Sequence, residues 1–262
     1  MLRSLSPQRR RFVMVVIAMV SITMVALMAV VLRSRPDPVT PVPQSQPGPV
    51  LLVPGYGGST SALDVLASSL SDAGRDVTVV SLAGDGTGDL REQVEVMDEA
   101  VRATVSRTGA ASVDVVGFSA GGVIAREWVA NSGGGSVARR VVTLGSPQHG
   151  TDVATLAAAV TPSSCPTACE QLKPDSDLLR SLNAGDETPA GPVWVSMWST
   201  SDQLVVPPES ASLEGGVNFS VQSVCGPSEI EHGDLPRTPS VIALTMFALA
   251  DAVPVTPTAD DC

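Results

Sequence analysis

Residues 113–122 read Val113-Asp114-Val115-Val116-Gly117-Phe118-Ser119-Ala120-Gly121-Gly122, and the fold turns on how this stretch must run. A short apolar run enters a G-x-S-x-G pentapeptide, and a helical pattern over 120–131 leaves it: strand, sharp turn, helix. Such a turn brings strand and helix so close that only glycine fits on either side, and it pushes the serine Oγ out over the sheet edge. The pentapeptide alone is a weak signal in a chain with 23 glycines. The plain alternative is a Gly/Ser-rich loop before an ordinary helix, and the strand-turn-helix setting decides against it.

The same alternation continues on both sides. Upstream, the apolar run 50–53 ends in Pro54-Gly55-Tyr56-Gly57-Gly58, followed by helical spacing over 61–70. A second strand is expected over 76–82, and Leu90, Val94, Met97, Val101 and Val105 recur at steps of three and four, marking a long amphipathic helix. Downstream, strands are expected at 140–144, 193–199 and 217–224, with a final helix at about 239–250. Strands that alternate with helices and are apolar on both faces predict a doubly wound, mostly parallel sheet of about six strands with helices on both faces. Such sheets carry their sites at the carboxyl ends of strands. Residues 151–190 break the rhythm, and an insertion of that length in a compact domain is expected to be a cover or binding loop.

A serine hydroxyl needs a base within hydrogen-bond reach, and the chain has two histidines, His149 and His232. In the α/β-hydrolase fold that this turn characterises, the order along the chain is Ser, then Asp or Glu, then His. No Asp separates Ser119 from His149, and Glu127 lies inside the helix after the turn, so His149 fails the order test. His232 follows the last expected strand and precedes the last helix, where a loop can swing it over Ser119. Asp202, just past the strand 193–199, is the expected acid that orients the imidazole; Asp152, Asp175, Asp177 and Asp186 fall in or beside the insertion. Attack on an ester builds negative charge on the carbonyl oxygen, which backbone N–H groups can stabilise. Ala120, directly after the nucleophile, and Tyr56, between glycines in the first turn, are the expected donors.

Composition narrows the partners. The formal net charge is −11. Six of the sixteen basic residues precede Pro36, so the remainder holds ten basic against twenty-seven acidic residues, a net −17. A body that acidic is repelled by phosphate backbones and anionic headgroups, which argues against nucleic acid and for a substrate neutral or apolar at its reacting end.

Residues 12–32 carry no charge for 21 positions, long enough at about 1.5 Å per residue to cross a hydrocarbon core of about 30 Å. Four arginines before the run and two after it orient 1–11 to the cytoplasm and the rest outward. A transmembrane anchor is therefore expected, placing the protein on the outer face of the bacterial cytoplasmic membrane. The alternative is a signal peptide cleaved on secretion, against which stands the lack of a good small-residue cleavage site. Residues 33–49 hold six prolines between Pro36 and Pro49 and read as an extended spacer leading to a domain at 50–262. Cys165, Cys169, Cys225 and Cys262 lie on the exported side, where an even count is read as disulfides. Of three pairings, Cys165–Cys169 with Cys225–Cys262 is preferred. A four-Cys zinc site is the rival, but the spacing lacks paired knuckles, and neither metal nor cofactor is expected.

Several stretches in one order, VLLVPGYGG, LAGDGTGDLREQ, VDVVGFSAGGVIAREW, VTLGSPQHGT, ACEQLKPDSDLLRSLN, MWSTSDQLVVPPESASL and EHGDLP, make the chain resemble the bacterial secreted lipases of the class 2 group, actinobacterial ones above all. The resemblance spans nearly all of 50–250. It implies a triad at Ser119, Asp202 and His232, oxyanion donors at Tyr56 and Ala120, and cleavage of lipid or other apolar acyl esters. Thioesterase, acyltransferase and peptidase chemistry would use the same triad. Outside enzymes, the alternative is a membrane-tethered, non-catalytic binding module.

Overall fold

A computed structural model describes residues 7–33, 39–161 and 165–262. The chain divides into two units, Met1–Pro38 and Val39–Cys262. In the first, helix α1 spans Pro7–Arg33. The membrane-crossing helix expected over 12–32 is not met: among the described residues no helix is long and apolar enough to cross a membrane. Most of the expected cytoplasmic segment, and Pro36 and Pro38 of the spacer, lie outside the described residues.

The second unit is built on six strands, β1 (Val50–Val53), β2 (Val77–Val79), β3 (Val113–Phe118), β4 (Ala138–Leu144), β5 (Val193–Trp198) and β6 (Val217–Ser220). Their spatial order is β2-β1-β3-β4-β5-β6, and every pair is parallel. The expected doubly wound sheet is thus present. Successive side chains of a strand point to opposite faces, and here each face has its own core. Leu51, Val53, Val113 and Val115 pack with α3 (Leu90–Thr108) and α4 (Ala120–Asn131). Val50, Leu52, Val116 and Phe118 pack with α2 (Asp64–Asp72) and α9 (Pro239–Ala248). Each fully buried Val or Leu contributes about 1.5–3 kcal/mol, which is why these strands read as continuous apolar runs rather than alternating ones.

Three expectations change. The strand expected over 217–224 stops at Ser220, whose hydroxyl accepts from Ser223 N–H and caps a short helix α8 (Val221–Cys225). The strand expected over 76–82 is reduced to Val77–Val79, with Val80 N–H still bonded to Leu52 O at 2.9 Å. The spacer also ends sooner than its prolines suggest, because the chain from Val39 onward belongs to the folded unit. Arg139 Nη1 donates to Gln44 O at 2.9 Å and to Ala250 O at 3.0 Å, while Arg140 bonds the Gln44 side chain. Arg139 Nε and Nη2 donate to buried Asp114 at 2.8 and 2.7 Å, and Nη2 donates to Leu249 O at 2.7 Å as well. This arginine clamp sits at the amino ends of β3 and β4 and fastens the incoming chain there. The insertion folds into α5 (Asp152–Val160), α6 (Thr167–Gln171) and α7 (Asp177–Leu182).

Candidate active site

Ser119 stands at the carboxyl end of β3 with φ 54° and ψ −127°. Among the described residues it is the one non-glycine with positive φ, a conformation that costs on the order of 1–3 kcal/mol and persists only where its surroundings impose it. They do so here. A Cβ on Gly117 would lie 2.5 Å from the backbone of Gly122, and one on Gly121 would lie 2.2 Å from Val53 O. Ser119 N–H donates to Leu144 O at 2.9 Å, tying the turn to β4.

The structure brings the three expected residues together. His232 Nδ1 lies 2.6 Å from Asp202 Oδ2, and His232 Nε2 lies 2.9 Å from Ser119 Oγ. An ionised carboxylate can only accept, so Nδ1 carries the proton it donates to Asp202 and Nε2 is left to accept from the serine. Asp202 is itself fixed: its Oδ1 accepts from Leu204 N–H and Val205 N–H, both at 2.8 Å. His232 opens a 3₁₀ turn, His232–Arg237, whose Leu235 is buried, and its ring lies 5.1 Å from that of Phe118. Gly145, φ 54°, faces both partners: a Cβ there would meet Leu235 at 2.5 Å and Asp202 Oδ2 at 3.2 Å.

Tyr56 and Ala120 occupy the expected places for oxyanion donors. Among the described residues neither backbone N–H donates to a protein acceptor, whereas Gly57 and Gly58 N–H are taken by Gly86 O and Gly55 O. A Cβ on Gly55 would fall 3.4 Å from Ser119 Oγ, so the turn carrying Tyr56 abuts the serine. Burial and the negative charge of Asp85 raise the Tyr56 phenol pKa, keeping the hydroxyl neutral.

An open cavity of about 290 Å³ lies over Ser119 and His232, lined mainly by apolar groups from α5, from Cys169 and Leu172, and from Leu204 and Val205. The insertion therefore covers the site as expected, with part of its apolar content. Leu172 lines the cavity; Leu178, Leu179 and Leu182 instead join the core beside α4, and Leu156 and Val160 are exposed. The preferred disulfides, Cys165–Cys169 and Cys225–Cys262, are both formed.

His149 is not part of this constellation. Its Nε2 bonds Glu187 Oε1 at 2.8 Å and its Nδ1 lies 3.2 Å from Ser210 O, so it braces the insertion. Burial alone would raise the Glu187 pKa, but the Glu214 N–H, the His149 ring and Arg126 outweigh it and leave that carboxyl below its ordinary value. Sequence reasoning missed Ser199. Its buried Oγ donates to Ile230 O at 2.6 Å and accepts from Ser201 N–H and from Gln222 Nε2. It thereby stitches the loop bearing Asp202 to the loop bearing His232. A serine at the end of a strand carries no local sign of such a role.

Among the described residues, no cluster of His, Cys, Asp or Glu is placed to hold a metal ion. The fold is that of lipases of known structure. Aspergillus fumigatus lipase B superposes with a TM-score of 0.66 at 21% identity over 82% of this chain and 55% of the other. Bacillus licheniformis lipase BlEst2 superposes at 18% identity in its propeptide form (TM-score 0.66, 85% and 54% covered) and its mature form (0.64, 82% and 96%). The chain thus spans about half the length of the first two of these proteins. No curated protein matches it in sequence. Residues 49–184, just over half of the chain and including β1, the serine turn and most of the insertion, match the palmitoyl protein thioesterase family, and the chain belongs to that family.

Proposed function

We propose that this protein is a serine hydrolase that cleaves carboxylic esters of apolar acyl groups through an acyl-enzyme on Ser119. The observation that carries the reading is the hydrogen-bonded series from Asp202 through His232 to Ser119 Oγ, at 2.6 and 2.9 Å, under an apolar cavity. Ser119 Oγ attacks the acyl carbonyl and its proton passes to His232 Nε2, while Asp202 stabilises the resulting imidazolium. The carbonyl oxygen, now negative, is held by the N–H groups of Tyr56 and Ala120; losing one such donor typically costs about 10²- to 10³-fold in rate. His232 then gives its proton to the leaving group, and water, activated by the same ring, releases the acid.

Thioesters are the second reading, favoured by the family to which the chain belongs. The triad serves both, since the leaving sulfur or oxygen departs on the same side. A fluorophosphonate probe and paired substrates test the proposal: p-nitrophenyl acyl esters and acyl thioesters of matched chain length, with Ser119→Ala as control. Labelling of the wild type alone, with turnover of either series, supports it; no labelling and no turnover would refute it, leaving a binding module.

The location belongs to the same proposal: the outer face of the bacterial cytoplasmic membrane, held by the run 12–32, or release after cleavage there. The two disulfides support the exported side, since such bonds persist in oxidising compartments. Native protein in carbonate-washed membranes supports the anchor; a mature N-terminus beyond Leu32 in the medium overturns it.

A further inference from the structure

The cavity over Ser119 opens through a collar of exposed apolar side chains. Among the described residues of the unit 39–262, nine large apolar side chains are exposed: Val39, Tyr56, Val65, Val153, Leu156, Val160, Leu204, Val253 and Val255. Five of the nine belong to this collar. Tyr56, Val153 and Leu204 line the cavity and also reach solvent. Leu156 and Val160, 64% and 68% exposed, continue from Val153 along α5. At about 100° per residue, Val153, Leu156, Ala157 and Val160 fall on one stripe of that helix, with Ala157 turned to the cavity. No charged residue interrupts 153–160.

Apolar side chains scattered over a surface need no explanation, but a contiguous patch around a cavity mouth marks an interaction site. Three features choose the occupant. Three of its residues, Tyr56, Val153 and Leu204, line the cavity through which an acyl chain must reach Ser119, so whatever docks there presents acyl chains. The stripe holds no lysine or arginine to greet an anionic headgroup. The unit beneath it is strongly acidic and is repelled by negatively charged membranes. We propose that this collar docks on an electrically neutral lipid surface, uncharged or zwitterionic, with Leu156, Val160 and Leu204 immersed and the cavity mouth facing the lipid. The proposal rests on the hydrolase reading for the direction of substrate entry and goes beyond it by naming the physical form in which substrate arrives.

The test uses the full chain and a signal local to residue 156, so that binding through any other segment does not count. In a Ser119→Ala background, Leu156→Trp adds an exposed indole to a chain whose three tryptophans are buried (Trp128 and Trp194) or half-buried (Trp198), and the signal is read as the difference from the Ser119→Ala parent. Vesicles of brominated phosphatidylcholine should shift its emission to the blue and quench it, and brominated phosphatidylglycerol vesicles should do so several-fold less. With Ser119 restored, Leu156→Asp with Val160→Asp should lower hydrolysis of a long-chain ester dispersed in phosphatidylcholine by at least about tenfold, since interfacial binding scales with buried apolar area. Hydrolysis of monomeric p-nitrophenyl butyrate should be unchanged, because neither residue lines the cavity. An unquenched indole, or equal quenching by the anionic vesicles, overturns the proposal. So does sedimentation showing a dimer that Leu156→Asp dissociates, which would make the collar a self-association surface. Failure of the wild type to hydrolyse even the soluble ester would strike the hydrolase reading instead, and the quenching result would stand apart from it.

Discussion

Replacing Asp202 by Asn changes one atom and should remove nearly all catalysis while leaving the fold intact. The direction follows from the hydrogen bonds. Oδ1 accepts two backbone N–H groups, from Leu204 and Val205, both at 2.8 Å, so the asparagine carbonyl must take that place. The flipped amide would set its NH₂ against two donors, leaving buried N–H groups unsatisfied at about 1–3 kcal/mol each. The NH₂ group is thereby directed at His232 Nδ1, where the carboxylate oxygen now sits at 2.6 Å. A donor at that position makes Nδ1 an acceptor and moves the ring proton to Nε2, which then faces Ser119 Oγ as a donor and cannot take its proton. A wrong tautomer of this kind costs about 10⁴-fold in kcat, or about 5.5 kcal/mol of transition-state stabilisation. The assay is kcat and KM on p-nitrophenyl butyrate for purified wild type and Asp202→Asn, with thermal melting as the check on folding. KM should hold, because Asp202 does not line the cavity. A variant within tenfold of wild-type kcat would refute the argument that Asp202 sets the tautomer.

Ser119→Ala should lower kcat by about 10⁶-fold and His232→Ala nearly as much, because triad members act as a unit; each is read against the unchanged melting temperature. His149→Ala should leave kcat/KM within about threefold but lower stability by about 1 kcal/mol, the worth of a partly buried hydrogen bond, in urea unfolding. Glu187 titrates below its ordinary value when folded, so the stability it contributes is present above about pH 4.3 and fades as pH falls through its folded pKa. The stability gap between wild type and Glu187→Gln should accordingly be widest near neutrality and close in acid. Cys169 lines the cavity and is bonded to Cys165, so Cys165→Ala with Cys169→Ala should change the ratio of long-chain to short-chain ester turnover at a denaturant concentration where the domain stays folded.

The local order of the molecule was legible in the sequence, and its long-range contacts were not. The G-x-S-x-G turn between an apolar run and a helical pattern located β3, Ser119 and α4, because close packing leaves no choice but glycine at 117 and 121. Chain order separated His232 from His149 without any geometry. Nothing local in Leu178-Leu179-Arg180-Ser181-Leu182 showed which body these leucines would meet, and they meet the core beside α4 rather than the cavity. Ser199 reaches across 31 residues to Ile230 and 23 to Gln222, distances over which no periodicity runs. The spacer misled for a related reason: proline density describes local stiffness, whereas what fastens Gln44 is its carbonyl oxygen meeting Arg139, and every residue has a carbonyl.

That clamp also determines where the domain can be handled. Arg140 Nη2 lies 3.3 Å from Gln44 O and 3.1 Å from Ala252 O, so the chain enters and leaves the sheet within about two hydrogen-bond lengths of a single nitrogen. Between Arg139 and Leu144 the sheet rises about 16 Å, and Ser119 lies at the far end, bonded to Leu144 O. An affinity handle, a partner domain or a solid support attached ahead of Gln44 would be held at the edge remote from the cavity mouth. The same proximity makes Gln44 and Ala252 natural points to splice with a short loop in a circular permutant, although that design would discard the cross-link that holds Cys262 to the end of α8.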